Sequence, residues 1–400
     1  MTSYEDALAI VLAAAKPRST EAVGLDGLLG RVLAAPVVAP IDLPPFATTS
    51  VDGYGVRSAE VVAGRAMPIA GAVPAGTAPA SALGTGKAVR LFTGSQLPDG
   101  VDAVMMQEDA EADGGTVRFT TTVTAGENVR ERGEEVRAGQ AVLPTGTVVT
   151  PPVLGVIATL GFDRFEVVLP PNVAVLGTGS ELTPPGQTLG PGGVYESNTH
   201  GVRAALYGLG IQEVSVDRVS DDPAETEAAL RRGLESEVLI TCGGVSVGDH
   251  DLVRPTLASL GVQERLWRVS IRPGKPFYFG VGPQGQTVFG LPGNPVSALV
   301  VFTLFVRPAL LRALGAPLPA TMPVRVAEDV PSAAGRDDFF RARLEWTREG
   351  TVAHRLEAQG SHMLSGLAQA DALVRVPAGA RGLRAGDLAD AIPLRWRIDA

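Results

Sequence analysis

The apolar positions of this chain recur with a period that shifts along its length, and each shift predicts a different kind of element. Over residues 4–16, Ala7, Leu8, Val11, Leu12 and Ala15 fall at helical spacing and Pro17 closes the segment. A second helix-prone stretch, Gly24–Leu33, ends near Ala35-Pro36. From about residue 41 short β-like runs, among them Ala88–Phe92, Ala103–Gln107 and Thr116–Thr121, alternate with Gly- and Pro-rich turns. That pattern predicts a small all-β domain over 41–136. Thr150-Pro151-Pro152 then supplies an N-cap and a first-turn proline for a helix over Val153–Leu160. Packed back on the amino-terminal helices, it would make 1–40 and 137–169 one helical domain with the β domain inserted in it.

Beyond residue 170 strands and helices alternate. Val173–Leu176, Val214–Val219 and Val238–Cys242 are expected as strands, with Val269–Ile271, Phe277–Phe279 and Val288–Phe289 continuing the sheet. Helices are expected near Asn198–Leu209, after the Asp222, Pro223, Glu225 capping arrangement, and from Asn294-Pro295 through Val306. The last is apolar nearly all round and should be buried. This alternation predicts a doubly wound parallel α/β domain over 170–316. In 317–400 the period becomes two, at Val324-Arg325-Val326, Leu344-Glu345-Trp346, Val374-Arg375-Val376 and Leu394–Ile398, which predicts a compact β-barrel or sandwich.

Length changes the picture little: 400 residues call for several cores rather than one. Net charge −9 argues against a nucleic-acid-binding or membrane-binding surface, so an anionic substrate would need locally placed cations. The longest apolar run, Val296–Val306, is too short to span a bilayer, and the acidic amino terminus does not resemble an export signal. Cys242 is the only cysteine, which excludes an internal disulfide and makes a cytoplasmic location the simplest expectation.

Candidate chemistry gathers in the loops after the expected strands. The uncharged strand Val238–Cys242 runs into Gly243-Gly244, where a missing Cβ permits close backbone approach to a ligand, then into Ser246, Asp249, His250 and Asp251. Ligands of open α/β sheets bind at that edge. Gly177-Thr178-Gly179-Ser180-Glu181 is glycine-rich but lacks the full dinucleotide fingerprint. Asp221-Asp222 follows another strand, and Arg272-Pro273-Gly274-Lys275-Pro276 holds cations in a stiff loop. Leu291–Pro295 ends on a helix amino terminus, where free N–H groups attract anions. Each loop alone reads as well as a turn or cap, and Asp221 more readily so than as a ligand. Together they would put Glu181, Asp221 and Asp251 near Arg272 and Lys275. Acids and cations on one rim suit a Mg²⁺-bound phosphate ester and metal-assisted chemistry on a phosphoanhydride. Four scattered histidines and one cysteine argue against a structural zinc site.

These motifs, in order and spacing, resemble those of the molybdopterin molybdenumtransferase family, the MoeA type that includes the gephyrin E domain. The resemblance rests on Val51-Asp52-Gly53-Tyr54, Phe92-Thr93-Gly94, Arg132-Gly133-Glu134-Glu135, Gly177-Thr178-Gly179, Gly243–Asp251, Pro273-Gly274-Lys275-Pro276, Leu291–Pro295 and Gln359-Gly360-Ser361-His362. It implies an elongated helical domain, an inserted β domain, a doubly wound α/β domain and a carboxyl-terminal β-barrel. It also implies a homodimer in which the inserted domain of one subunit covers the sheet cleft of the other. The implied reaction is Mg²⁺-dependent insertion of molybdate into adenylated molybdopterin with release of AMP. Carried over position by position, Asp52, Thr93, Glu135, Glu181 and Lys275 take catalytic roles, and Asp221 and Asp251 hold Mg²⁺. Gly243, Gly244, Ser246, Arg272, Asn294, Pro295, Arg341 and Ser361 contact substrate. The chain departs from the family pattern over Ala47–Gly55 and at Ser180, Arg272 and Glu135, where Asp, Lys and Asp are usual at the last three. The altered Ala47–Gly55 loop and Ser180 keep open a non-catalytic pterin-binding or scaffold paralogue; the α/β domain taken alone also resembles an adenylyltransferase acting on the same pterin, which the extra β domains disfavour.

Overall fold

The computed structural model describes residues 1–245, 251–332 and 335–394, so Ser246, Asp249 and His250 lie outside the described residues. The chain divides into two compact units, one of residues 1–35, 145–154 and 163–400, the other of 36–144 and 155–162. Residues expected above in one helical domain are thus distributed between both units.

The first unit is built on a six-stranded sheet in the order Val214–Val219, Val173–Thr178, Val238–Cys242, Thr287–Leu291, Tyr278–Val281, Gln263–Trp267. The first four strands are parallel, and the last two add on antiparallel. Val238–Cys242 is buried at every position, because helices cover both faces of a doubly wound sheet. One face packs under Val202, Leu206, Val301 and Phe305, the other under Leu230, Val253 and Leu257. The strand order reverses between Val173–Thr178 and Val238–Cys242, so their carboxyl ends splay apart into a crevice.

A continuous helix runs from Pro295 to Ala313, with a π-helical turn over Phe302–Val306. The wide turn falls just ahead of Pro308, which has no N–H to return to the carbonyl four residues back. At 19 residues the helix exceeds the apolar run read from sequence, yet 83% of its most apolar window is buried inside the unit. It is a core helix.

Two expectations fail in this unit. Gly24–Leu33 is not helical: Thr20–Gly24 is a strand antiparallel to Arg164–Val168, followed by a short 3₁₀ turn at Leu25–Gly27. Glycines at 24, 27 and 30 raise the cost of a helix there, and Gly30 takes the left-handed conformation (φ +77°). Val269–Ile271 does not extend the central sheet. Ile271–Arg272 instead pairs with the carboxyl-terminal sheet, Ile271 opposite Asp337 and Arg272 opposite Asp338. Pro273 and Pro276, which flank the next turn, cannot donate to a sheet ladder.

The carboxyl-terminal region is a closed barrel. Asp337–Thr347, Gly350–Arg355, Met322–Val326, Leu388–Pro393 and Ala372–Val376 follow one another round it, and the last pairs back on the first. Val324, Phe340, Ala342, Val374 and Ala391 fill its interior. Strands at 350–355 and 388–393 were not read from the sequence, and the expected one over 394–398 lies largely outside the described residues.

The second unit carries its own six-stranded sheet, in the order Ala103–Met106, Gly53–Val56, Ala88–Leu91, Ala66–Val73, Thr116–Phe119, Ala110–Asp113. Tyr54, Met67, Met105 and Phe119 form its core. The three β runs singled out in the sequence are strands there, each shorter by a residue or two.

Candidate active site

The crevice at the sheet's switch point opens into a cavity of about 780 Å³. Glu181, Asp221, Gly243, Gly244, Asp251, Asn294 and Pro295, all singled out in the sequence, line it. Each comes from the carboxyl end of a parallel strand or the turn after it, which is why residues far apart in sequence converge.

Local chemistry fixes the acids. Ser180 N–H donates to Asp221 Oδ2 (3.0 Å), and Asp221 N–H donates to Ser180 Oγ (3.0 Å). This reciprocal pair ties neighbouring loops together and orients the Asp221 carboxylate. Next along the chain, Asp222 accepts from Glu225 N–H (2.9 Å) as the N-cap of helix Pro223–Gly233, with Pro223 at its first position. The adjacent aspartates therefore divide between a cap and the cavity wall. Gly243 has φ +100°, and a Cβ there would lie 2.8 Å from the Thr178 carbonyl oxygen. Only glycine lets the third strand turn so close beside the first.

Sequence reasoning missed Asn198, Tyr195 and His362, which also line this cavity. Asn198 Nδ2 donates to Gly293 O (2.6 Å), joining the helix that starts at 198 to the loop before Pro295. Buried Glu196 sets that helix start by accepting from the Thr199 N–H (2.8 Å) and hydroxyl (2.6 Å).

The cation loop opens on a second cavity, of about 380 Å³. Arg272, Lys275 and Ser361 line it together with Arg336, Asp338, Arg355 and Gln359. Pro276 borders both cavities, and the chain at 360–362 borders the second with Gly360 and Ser361 and the first with His362. Asn294 Nδ2 donates to Ser361 Oγ (3.1 Å) and Val296 N–H to Ser361 O (3.1 Å), so Ser361 is pinned to the start of the core helix. The acids and the cations thus occupy adjoining cavities rather than one rim. Arg336 and Arg355 carry no motif, and nothing in the sequence singled them out.

Arg341, expected among the anion contacts, is buried, and its guanidinium donates to the carbonyls of Ala358 and Gly360. Gln359 closes the same clamp, accepting from Arg341 N–H (3.0 Å) and donating to Arg341 O (2.8 Å). In this structure Arg341 braces the loop that presents Ser361, and burial holds its pKa below the usual guanidinium value.

Asp52 and Thr93 come together on the second unit. Thr93 donates to Asp52 Oδ1 from its N–H (2.7 Å) and its hydroxyl (2.9 Å), and these bonds lower the Asp52 pKa. Glu135 lines a different hollow of that unit, about 480 Å³, with Arg130 and Glu134.

The donor set fits Mg²⁺. Among the described residues no group of three or more His, Cys, Asp or Glu could enclose an ion alone. Asp221 and Asp251, with Glu181 in the same cavity, offer the few carboxylates that Mg²⁺ takes when substrate phosphate and water complete its shell.

Comparison with known proteins converges on one family. Residues 2–161 match the MoeA N-terminal region (domain I and II), 174–312 the probable molybdopterin binding domain, and 323–394 the MoeA C-terminal region (domain IV). The chain is 33% identical over 364 residues to a molybdopterin molybdenumtransferase of Haemophilus influenzae, covering 90% of each chain. It is 37% identical over 366 residues to molybdopterin molybdenumtransferase 2 of Mycobacterium tuberculosis, covering 87% of this chain and 88% of that one. Among solved structures, a molybdopterin biosynthesis MoeA protein from Pyrococcus horikoshii superposes with a TM-score of 0.81 at 30% identity, over 98% of this chain and 99% of that one.

Proposed function

The chain belongs to the molybdopterin molybdenumtransferase family, transferases of molybdenum cofactor biosynthesis, and from that premise we propose that it inserts molybdate into adenylated molybdopterin with Mg²⁺-dependent release of AMP. The observation that carries this reading is the adjacency of an acid-lined cavity and a cation-lined one across Pro276 and residues 360–362. The reaction has two demands, an activated phosphoanhydride and a second, separate oxyanion, and the paired cavities meet both.

In the acid cavity Asp221 and Asp251 would hold Mg²⁺, which when bound supplies positive charge to the phosphoanhydride oxygens. Glu181, in the same cavity, adds a third carboxylate close to the ion's two ligands. Gly243 and Gly244 bring backbone against the pterin phosphate, and the start of the core helix at Asn294-Pro295 favours its negative charge. In the cation cavity Lys275 and Arg272 attract molybdate and Ser361 donates a hydrogen bond to it. Water attacks the phosphoanhydride and AMP leaves, while molybdenum takes the two dithiolene sulfurs as two molybdate oxygens depart as water or hydroxide with the thiol protons.

The same reading includes a homodimer in which Asp52, Thr93 and Glu135 of one subunit serve the acid cavity of the other, in the cytoplasm. Asp52 and Thr93 form an exposed polar pair on the second unit, where a partner subunit could reach it. The non-catalytic alternative rests on the altered Ala47–Gly55 loop and on Ser180. The reciprocal bonds of Ser180 with Asp221 favour a working site, since the serine keeps the carboxylate oriented.

Purified protein given adenylated molybdopterin, Mg²⁺ and molybdate should release AMP. A Glu181→Ala variant should lose about 10²–10⁴-fold, the range for removing a positioned catalytic group. Tight pterin binding with no AMP above the Glu181→Ala background would establish the non-catalytic reading instead.

A further inference from the structure

The cation cavity contains one acid, and its environment differs sharply from that of its neighbour in sequence. Asp337 is 3% exposed and accepts from Arg375 at 2.7 Å, a saturated structural ion pair. Asp338 points to the other face of the same strand and lines the cavity with Arg272, Lys275, Arg336 and Arg355. Its Oδ2 stands 3.6 Å from Arg272 Nη1, too far for a hydrogen bond, although its side chain is only 13% exposed. Among the described residues, a mostly buried carboxyl that stops short of a hydrogen bond to the cation paired with it is unusual. Pairing of Arg272 with Asp338 across the barrel edge fixes this geometry by backbone register, so it is not a chance side-chain approach.

We propose that Asp338 is a specificity-determining residue of the oxyanion cavity: protonated, it donates a hydrogen bond to a fully deprotonated tetrahedral dianion, so that uptake of the dianion is coupled to uptake of one proton. The proposal deepens the reading of this cavity given above and rests on it. An ionised Asp338 would repel a molybdate or sulfate dianion and satisfy part of the arginine cluster itself. Protonation removes the repulsion, frees Arg272 for the ligand and converts the carboxyl from acceptor to donor. Burial already pushes the Asp338 pKa up, opposed by Arg272, Arg355, Arg336 and Arg341. A dianion entering the cavity screens those cations and adds its own negative charge, which raises the pKa further. Binding must then strengthen as pH falls, over the range between the raised pKa of the open site and the still higher one of the filled site. The other charged groups that line the cavity with Asp338 are Lys275, Arg272, Arg336 and Arg355. His362 is the histidine nearest in chain to this wall, but it lines the acid cavity.

The test is calorimetry of the full-length protein with sodium sulfate, and with molybdate, between about pH 6 and pH 8, in buffers of different ionisation enthalpy. Sulfate carries no titrating proton there. The wild type should take up between a fraction of a proton and one proton per anion, and its affinity should weaken by up to about tenfold per pH unit. Asp338→Asn keeps the shape and donates from its amide, so its binding should be independent of pH with no proton uptake. His362→Gln should behave as wild type. Proton uptake retained in Asp338→Asn, or absent from the wild type while the anion binds, overturns the role of Asp338 and leaves the reaction reading standing. Failure of the wild type to bind either anion overturns the reading of the cavity as well. Should Asp338→Asn not fold, as judged by its melting transition, the wild type and His362→Gln still decide, since uptake lost in the latter would assign the proton to His362.

Discussion

At the scale of single residues, Asp52 is held by bonds rather than by proximity. Thr93 lowers the Asp52 pKa by two hydrogen bonds to one oxygen. The stabilisation from that pair is present above the ordinary carboxylate range and is lost as pH falls through the lowered value. Thr93→Val should raise the Asp52 pKa toward the ordinary value of about 3.9, seen as a shift of its carboxyl carbon titration by NMR. An unchanged titration would mean the N–H alone sets it. Gly243→Ala should destabilise the first unit and weaken pterin binding, because the new Cβ would meet Thr178 O at 2.8 Å at a positive φ. A melting temperature equal to wild type would refute the claim of close approach. Motif residues such as Glu181 and Asp221 were legible in the sequence because sheet topology carries strand ends to one edge. Arg336, Asp338 and Arg355 were not, since nothing in a linear pattern says which face of a barrel strand meets a neighbouring domain's loop.

At the scale of elements, capping chemistry was the most readable layer. Asp222, Pro223 and Glu225 announce the start of helix Pro223–Gly233, and the structure sets it there. Asp222→Ala should cost that helix about 1 kcal/mol. Amide exchange over 223–226 should then speed up about fivefold, while the Asp221 side of the turn keeps its bonds to Ser180. No change in exchange would show that tertiary packing, not the cap, holds the helix end. Two elements misled for physical reasons. Gly24–Leu33 has helical spacing of apolar residues but too many glycines to sustain it. Ile271–Arg272 has strand character, yet the prolines after it divert the chain to the barrel, and that diversion brings Arg272 beside Asp338.

At the scale of the whole molecule, a doubly wound α/β domain, a β domain and a carboxyl-terminal barrel or sandwich were legible from the changing hydrophobic period, and the family resemblance chose the barrel. What the period could not convey is how the site divides between adjoining cavities, because that follows from which loops share a wall. The proposed dimer has a distinct signature. Asp52→Ala and Glu181→Ala proteins, each inactive, should regain about a quarter of wild-type activity when mixed and exchanged, through heterodimers with one intact site. Absence of recovery, with exchange verified, would place both residues in the same subunit's site or in none.

The division of the site turns on where the oxyanion is held relative to the acids. Crystals of the full chain soaked with Mg²⁺, AMP and tungstate would locate tungsten by its anomalous scattering. The expected peak lies between Lys275, Arg272, Arg355 and Ser361, with AMP phosphate across Pro276 beside Asp221 and Asp251. Tungsten in another part of the molecule, with this cavity empty, would contradict the division of the site into an acid half and a cation half.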